Sequence, residues 1–465
     1  MSTLKKIAEK LSLPGVGEID PKREIIAGLT TFMTMAYILF VNPAILSATG
    51  MPRDSLVIAT AASAGLATLI MALYAKSPMA LAPGMGLNAY FAYTVTPYIR
   101  GILEEQGLDP ENAWRIALAA VFVEGLVFIV LSVTKLREAV ANAIPLNLKY
   151  AIAAGIGLFL TLIGLKNAGL VYALVEPVSE GAPYGRLSVL EIATNFFHDP
   201  TTLIALTFTL VAGILMALRV PGALLISIIL AIIASAAFGY THAPEQLIGT
   251  PKDTLVMAFD LHGLLALGAI TATVIVFTFF VVDFFDTLGT VTGLASIIGI
   301  VDEKGRVKGI GRMLLTDAVG TTAGAALGTS TVTTYIESAA GIEEGGKTGL
   351  TALVVALLFF ASILIWPVFT VAPEFSTAPA LIIVGLLMAR AIKKIDLDDL
   401  TEAVPAFLTI ISMPFFFSIS DGIGIGFISY VVMKLLTGKI KDLNPIIVGV
   451  AIVFAAYFYT LPYIR

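Results

Sequence analysis

The sequence predicts an all-α polytopic membrane protein built from two inverted copies of a seven-segment unit. Its 465 residues are 58% hydrophobic and 13% charged, with a mean hydropathy of +0.94, whereas soluble proteins carry about a quarter charged residues. Apolar windows of helix-spanning length recur from end to end, and two glycine-interrupted windows stand at matching places in the two halves. We therefore expect one polytopic unit without a separate soluble domain.

The N-terminal segment, residues 1–24, is charged and amphipathic and lacks the apolar stretch that a signal peptide needs. Its basic residues are Lys5, Lys6, Lys10, Lys22 and Arg23. Because basic segments favour the cytoplasmic side, we expect a multi-pass protein of the cell inner (plasma) membrane with a cytoplasmic N-terminus.

Regular spans are predicted wherever an apolar window is long enough to cross a bilayer. These windows are 25–47, 54–75, 113–134, 148–167, 200–218, 221–239, 265–295, 309–327, 350–371, 376–394, 402–420, 422–437 and 443–462. Basic residues cluster at 135–137, 304–312 and 390–394, which places these three loops in the cytoplasm. The sequence leaves open whether 402–462 forms two spans or three.

Two further windows, 77–95 and 326–341, are short and interrupted by glycine. Irregular backbone at membrane depth occurs only where protein buries it or where it lines a cavity. The interval between Asn88 and Glu337 in these windows nearly equals the interval between the spans that precede them. The halves therefore look like copies, an odd number of crossings makes them inverted, and the paired interruptions predict a transporter's binding site.

Polar side chains stand in or beside these windows. Asp283 and Asp286 lie three residues apart on one face of an apolar span, Glu337 lies near the start of a half-helix, and Asn88 lies in the first interrupted window. Buried carboxylates usually mark a substrate or ion site, and Asp283 and Asp286 are also candidates for carrying protons. The alternative for each is a helix end that reaches water, a helix cap or a structural hydrogen bond.

Two more acids, Glu124 and Asp317, are also embedded in predicted spans. For these we expect hydrogen bonds between helices. The aromatic neighbours of the polar residues either stack on a flat ring or simply pack; they are Tyr90, Phe91, Tyr93, Phe284 and Phe285.

The predicted set favours a neutral planar heterocycle, because carboxylates accept N–H groups and an amide both donates and accepts. An anion would require a nearby Arg or Lys, and the sequence places none beside either interrupted window. With no cysteine, and with His198, His242 and His262 in loops, we expect neither a metal nor a cofactor. No basic cluster with interleaved aromatics indicates nucleic acid.

The stretch "GIEEGGKTGL", residues 341–350, fits the phosphate-loop pattern G-x-x-x-x-G-K-[ST]. No buried strand precedes it, and Glu343 and Glu344 would repel a triphosphate, so we interpret Lys347 as a charge of a cytoplasmic loop. An intramembrane aspartyl protease fits poorly, because the two acids of such a protease come from two helices. Asp283 and Asp286 lie three residues apart on a single predicted helix. We expect no enzymatic activity.

Four stretches make the sequence similar to the azaguanine-type hypoxanthine/guanine/adenine permeases, a branch of the nucleobase/cation symporters. They are "TTFMTMAYILFVNP", "ALAPGMGLNAYFAYTV", "VDFFDTLGTVTGLA" and "GTSTVTTYIESAAGIEEGGKTGLTAL". The similarity runs from about residue 15 to about residue 440. It implies a secondary active transporter that imports purine nucleobases in symport with protons or with Na⁺.

The resemblance also implies the architecture. About 14 transmembrane segments are expected, with segments 3 and 10 broken by short extended stretches. The core domain would comprise 25–134 and 265–371, and the gate domain 148–240 and 376–465. The apolar window beyond Asp442 exceeds this count, and the sequence leaves open whether the protein is a homodimer.

By the same resemblance, Asp286 is the segment-8 acid that holds the base, Glu337 is the segment-10 acid, and Asn88 faces them. Asp283 is the neighbouring acid on the same span, and the main chain at Ala89, Ile336 and Ser338 would complete the site. Relatives often carry a histidine where this chain has Thr290. The alternatives are a transporter of the same architecture for small anions or for another planar solute, and the preferred purine is not specified.

Overall fold

The computed structural model describes residues 3–14, 16, 18–134, 144–177, 185–192, 197–244, 246–249, 254–301 and 306–460. The helices of the first half are α1 (Thr3–Lys10), α2 (Pro21–Met35), α3 (Ile38–Leu46), α4 (Arg53–Ile70), α5 (Met85–Tyr90), α6 (Thr96–Glu105), α7 (Ala113–Val133), α8 (Leu146–Asn167), α9 (Pro200–Ala217) and α10 (Ala223–Ala237). Those of the second half are α11 (Leu261–Ala266), α12 (Ala269–Ile298), α13 (Ile310–Leu327), α14 (Ser338–Glu343), α15 (Gly349–Ser362), α16 (Trp366–Thr370), α17 (Glu374–Ala389), α18 (Leu400–Phe415), α19 (Ile419–Leu436) and α20 (Pro445–Thr460). The strands are β1 (Leu81–Pro83), β2 (Val171–Pro177), β3 (Gly185–Ile192) and β4 (Val332–Thr334).

Nine helical stretches of the described chain are long and apolar enough to cross a membrane. They are Pro21–Thr49, Arg53–Ala75, Pro110–Val133, Leu146–Asn167, Pro200–Ala217, Ala269–Ile298, Gly349–Thr370, Glu374–Lys394 and Ile419–Leu436. Together with α10, α13, α18 and the two interrupted segments they make fourteen. The described part of the region 402–462, up to Thr460, forms three helices, because the chain turns at Phe417, which adopts a left-handed φ of 53° between α18 and α19. Helix α20 follows as an additional element.

The two interrupted windows meet as a two-stranded antiparallel sheet. Leu81 of β1 pairs with Thr334 of β4, and Pro83 pairs with Val332. The pairing continues beyond the strands, since the Tyr335 amide donates to the Ala80 carbonyl at 2.9 Å. Backbone groups that leave the helical pattern are thus satisfied by the other half of the chain, as membrane depth requires.

A second antiparallel pair of strands lies between α8 and α9, where β2 pairs with β3.

The stretch "GIEEGGKTGL" binds an anionic group of the protein itself, the carboxylate of Glu24. The carboxylate of Glu24, fully buried in α2, accepts from the Lys347 amide at 3.0 Å, the Thr348 amide at 3.2 Å and the Thr351 hydroxyl at 2.6 Å. The loop therefore connects α2 to the start of α15 by hydrogen bonds. The side chain of Glu24 occupies the place that a phosphate would take.

Replacing Glu24 by Ala is expected to lower the free energy of unfolding by several kcal/mol, since each buried donor left without its acceptor costs about 1–3 kcal/mol. Thermal unfolding in detergent measures the change. Glu343→Ala, at an exposed position of the same loop, is the matched control and should unfold like the unmodified protein. Equal unfolding temperatures for the two variants would contradict this account of the loop.

The helices divide into two groups by their contacts. In one, α2, α4, α7, α12, α13 and α15 pack on one another around the paired strands. In the other, α8 packs on α17 and α18, and α9, α10 and α19 pack around them. Helices α8 and α17 cross closely because glycines meet there: a Cβ added at Gly385 would lie 2.5 Å from the Gly157 carbonyl oxygen.

Candidate functional site

A cavity of about 600 Å³ lies where the paired strands face helices α8, α12 and α17. Its polar and aromatic lining residues are Tyr37, Lys149, Tyr150, Phe285, Asp286, Thr290, Thr292, Ser296, Thr333, Thr334, Tyr335, Glu337 and Lys394. A cavity of this size is typical of small-molecule sites. Both halves of the chain and both groups of helices contribute to it.

One face of α12 forms a wall of this cavity. Asp286, Gly289, Gly293 and Ser296 all line it and are all exposed. These positions recur at helical spacing, so they make a continuous stripe from mid-helix to its C-terminal end, about 15 Å at 1.5 Å per residue. The cavity is therefore open at the end where Ser296 and Lys394 lie.

Glu337 stands at the inner end of the cavity, directly before α14. The Tyr37 hydroxyl donates to its Oε1 at 2.7 Å, and the Thr34 hydroxyl donates to its main-chain carbonyl at 3.3 Å. Residues in and just after α2 thus fix the direction of this carboxyl group. One of its oxygens is left for other partners. Asp286 and Glu337 line the same cavity, and their binding of a substrate stays a prediction.

Asp317 of α13 holds β4 in position by hydrogen bonds to Thr334. Its Oδ1 accepts from the Thr334 amide and from the Thr334 hydroxyl, both at 2.8 Å. Its Oδ2 accepts from the Thr287 hydroxyl of α12 at 2.7 Å. The expectation that Asp317 bonds between elements is met, and the element it fixes is the strand beside the cavity.

Several predicted site residues are placed elsewhere. Of the described residues around the cavity, Ile336 belongs to the lining, whereas Asn88, Ala89, Ser338 and Asp283 do not. The Ser338 hydroxyl accepts from the Ala80 amide at 3.0 Å, which is a structural bond between the two interrupted segments. A direct ligand contact by these four residues stays a prediction.

The place of Asn88 has a simple geometric reason. Glu337 immediately precedes α14, and the residue that immediately precedes α5 is Gly84, so Gly84 is its counterpart and Asn88 lies one turn further in. Its amide is fully buried and has no hydrogen-bond partner within the described chain. The lining there comes from Gly84 to Leu87; a Cβ at Gly86 would lie 2.7 Å from Ile156 of α8.

Two lysines in the lining correct the sequence analysis. No basic residue was expected near the site, but the Lys149 ammonium lies 4.8 Å from the ring centre of Phe285, and that of Lys394 lies 5.5 Å from the ring centre of Tyr150. They come from helices remote in sequence from the interrupted windows. Only knowledge of how α8 and α17 pack could have revealed them.

The aromatic residues separate into packing and lining sets. Tyr90 and Phe284 are buried in edge-to-face contacts, Tyr90 with Phe279 at 4.6 Å and Phe284 with Phe128 at 5.5 Å. Phe285 faces the cavity instead. Tyr335, which the sequence analysis did not single out, also lines it, and its hydroxyl donates to the Pro83 carbonyl.

This architecture is shared with solved transport proteins. The transmembrane domain of a cyanobacterium bicarbonate transporter superposes with a TM-score of 0.61 at 15% identity, covering 87% of this chain and 97% of that one. Murine solute carrier 26 family member A9, an anion transporter, gives 0.62 at 12% identity, covering 94% and 71%. The prediction of about 14 segments in two inverted seven-segment repeats is confirmed, and the chain has the fold of these polytopic membrane proteins.

The particular family follows from the sequence. Residues 22–425 match the profile of the Permease family, and the chain belongs to it. It is a permease and not an enzyme, as predicted. Curated relatives span nearly the whole chain.

A putative permease of Methanocaldococcus jannaschii is 45% identical over 95% of both chains. The guanine/hypoxanthine permease PbuO of Bacillus subtilis is 40% identical over 95% of this chain and 98% of its own. The adenine permease AdeP of Escherichia coli is 38% identical over 93% and 92%. The resemblance drawn from the four sequence stretches is confirmed.

Proposed function

We propose that this permease imports purine nucleobases across the plasma membrane in symport with protons. The observation that carries the proposal is the joining of Asp286 and Glu337 in one cavity with the main chain of both interrupted segments. The names of the adenine and guanine/hypoxanthine permeases among its relatives support the substrate class.

The bonding groups of the cavity complement a purine. The carboxylates of Asp286 and Glu337 accept ring or exocyclic N–H groups. The first N–H groups of a helix lack intrahelical acceptors, so those of Met85, Gly86 and Leu87 in the lining serve carbonyl or ring-nitrogen acceptors. The ring of Phe285 offers an apolar face for the flat base.

The distribution of basic residues supports one orientation of the protein in the membrane. The cavity, which Lys394 lines, opens at the C-terminal end of α12, where Ser296 is exposed. Leu13 of the N-terminal segment packs in one cluster with Leu294 and Ala295 at that same end of α12. Because basic loops face the cytoplasm, we assign the N-terminus to the cytoplasmic side. The structure then represents the inward-facing state.

Transport would proceed by movement between the two groups of helices. We assign 25–134 and 265–371 to the core domain, and 148–240 and 376–465 to the gate domain. Since the cavity is bounded by α12 and β4 of one and by α8 and α17 of the other, a shift of the core along the gate closes the inner mouth and opens an outer one.

A second candidate is a small-anion transporter. The lysines Lys149 and Lys394 favour it, because an anion needs cationic partners. The carboxyl groups of Asp286 and Glu337 oppose it, since they occupy the inner end where a substrate would be held. We therefore rank the purine first.

Thermal unfolding of the purified protein separates these candidates. Hypoxanthine, guanine or adenine at 100 times its Kd should stabilise the folded state by about 2.7 kcal/mol, and sulfate or bicarbonate should not. Uptake of labelled purine into cells, with and without a protonophore, then tests the coupling. Stabilisation by sulfate alone would reverse the ranking.

A further inference from the structure

Behind the cavity, two helices that pack on each other carry two fully buried carboxyl groups, Glu124 of α7 and Asp283 of α12, which interact electrostatically. We infer that this pair is a second site of the permease, which holds the proton that drives transport. The inference rests on the proposed function and adds to it the place of the coupling ion and a residue, Glu124, for which the sequence indicated only a structural role.

The surroundings of the pair leave three oxygens without a donor. No N–H or hydroxyl group in the described part of the chain reaches either carboxyl oxygen of Glu124 or the Oδ1 of Asp283. The Oδ2 of Asp283 accepts from the Thr321 hydroxyl at 3.0 Å. No salt bridge among the described residues includes either acid.

Two buried carboxylates that interact, away from water and without a counter-ion, are strongly disfavoured from both being ionised. A single proton between them resolves both problems, since it removes one charge and supplies the missing donor. The arrangement therefore matches a protonated acid bonded to a carboxylate. The pair therefore holds one proton in this state.

The pair is connected to the cavity by two routes. Asp286 lies three residues beyond Asp283 on α12 and lines the cavity, so a proton from water reaches the pair through it. The Thr321 hydroxyl lies between Asp283 and the Val332 carbonyl of β4, at 3.0 and 2.9 Å. The charge of the pair thus acts on the strand that bears the cavity-lining Thr333 and Thr334.

Other titratable groups add negative charge. Asp317 of α13 faces both members of the pair, and Asp286 faces Asp283. Loss of the proton would add a further negative charge to this group of acids, one of which, Asp283, is joined to the start of β4 through Thr321. Release of the proton and displacement of this strand are therefore coupled, which is the link a symporter requires between ion and substrate.

Infrared spectroscopy tests the pair without any substrate. The purified protein should show the carbonyl stretch of a protonated, buried carboxylic acid, and Glu124→Gln should remove it, because the amide donates to Asp283 and replaces the shared proton. Asp283→Asn should remove the same band. Glu105→Gln, an exposed acid at the end of α6, is the matched control and should keep it. A band unchanged in both Glu124→Gln and Asp283→Asn would overturn the inference.

Transport in proteoliposomes tests the coupling. One proton per base supports about tenfold accumulation for each pH unit across the membrane. Glu124→Gln should exchange labelled for unlabelled hypoxanthine but accumulate it to a ratio of about one, whereas Glu105→Gln should accumulate it like the unmodified protein. Full accumulation by Glu124→Gln, or accumulation driven by Na⁺ and not by pH, would overturn the assignment. Absence of purine transport by the unmodified protein would instead refute the proposed function, and the infrared result would still stand.

Discussion

Replacing Glu337 by Gln should weaken purine binding about 100-fold and abolish uptake, because a charge-assisted hydrogen bond in a sheltered site contributes up to about 3 kcal/mol. The variant should still fold, since the Gln carbonyl can accept from Tyr37 as Oε1 of Glu337 does. Loss of thermal stabilisation by hypoxanthine measures binding, and uptake of labelled base measures transport.

The control for this variant is Glu343→Gln, which changes an exposed acid six residues further on. It should bind and transport like the unmodified protein. If Glu337→Gln were stabilised by hypoxanthine to the same extent as its control, the proposed site would be wrong.

Replacing Asp317 by Leu should abolish transport and destabilise the protein by several kcal/mol. Three donors lose their acceptor together: the Thr287 hydroxyl, the Thr334 amide and the Thr334 hydroxyl. Each buried orphan costs about 1–3 kcal/mol, and β4 loses the anchor that sets its position. Unfolding temperature and uptake measure the two effects.

The variant Asp317→Asn distinguishes anchoring from charge. Its amide oxygen can still accept from Thr334 and its NH₂ group can donate to the Thr287 hydroxyl, so most of the stability should return. An Asp317→Asn protein as unstable as Asp317→Leu would show that the carboxylate charge, rather than the anchor, is required.

The interrupted segments could be predicted because their signal is local. Glycines and small residues within an apolar chain show where a helix cannot continue, and the lack of water dictates that such backbone be paired. The same argument brought Asp286 and Glu337 to one cavity. It did not give the pairing partner, which is the other interrupted segment itself.

The remaining features depend on how distant helices pack. Lys149, Lys394 and Tyr37 reach the cavity from elements whose sequences carry no sign of it. The interaction between Glu124 and Asp283 likewise requires the packing of α7 on α12. Asn88 lies one turn beyond the residue that matches Glu337, because a repeat offset read from the sequence is accurate only to within a helical turn.

The sheet that joins β1 to β4 has a consequence for biogenesis. Residues 81–83 leave the ribosome long before residues 332–334 exist, so the earlier strand waits inside the bilayer, or beside the insertion machinery, with main-chain groups unmatched. The permease therefore completes its centre only when most of the polypeptide has been made, and neither half is expected to mature alone.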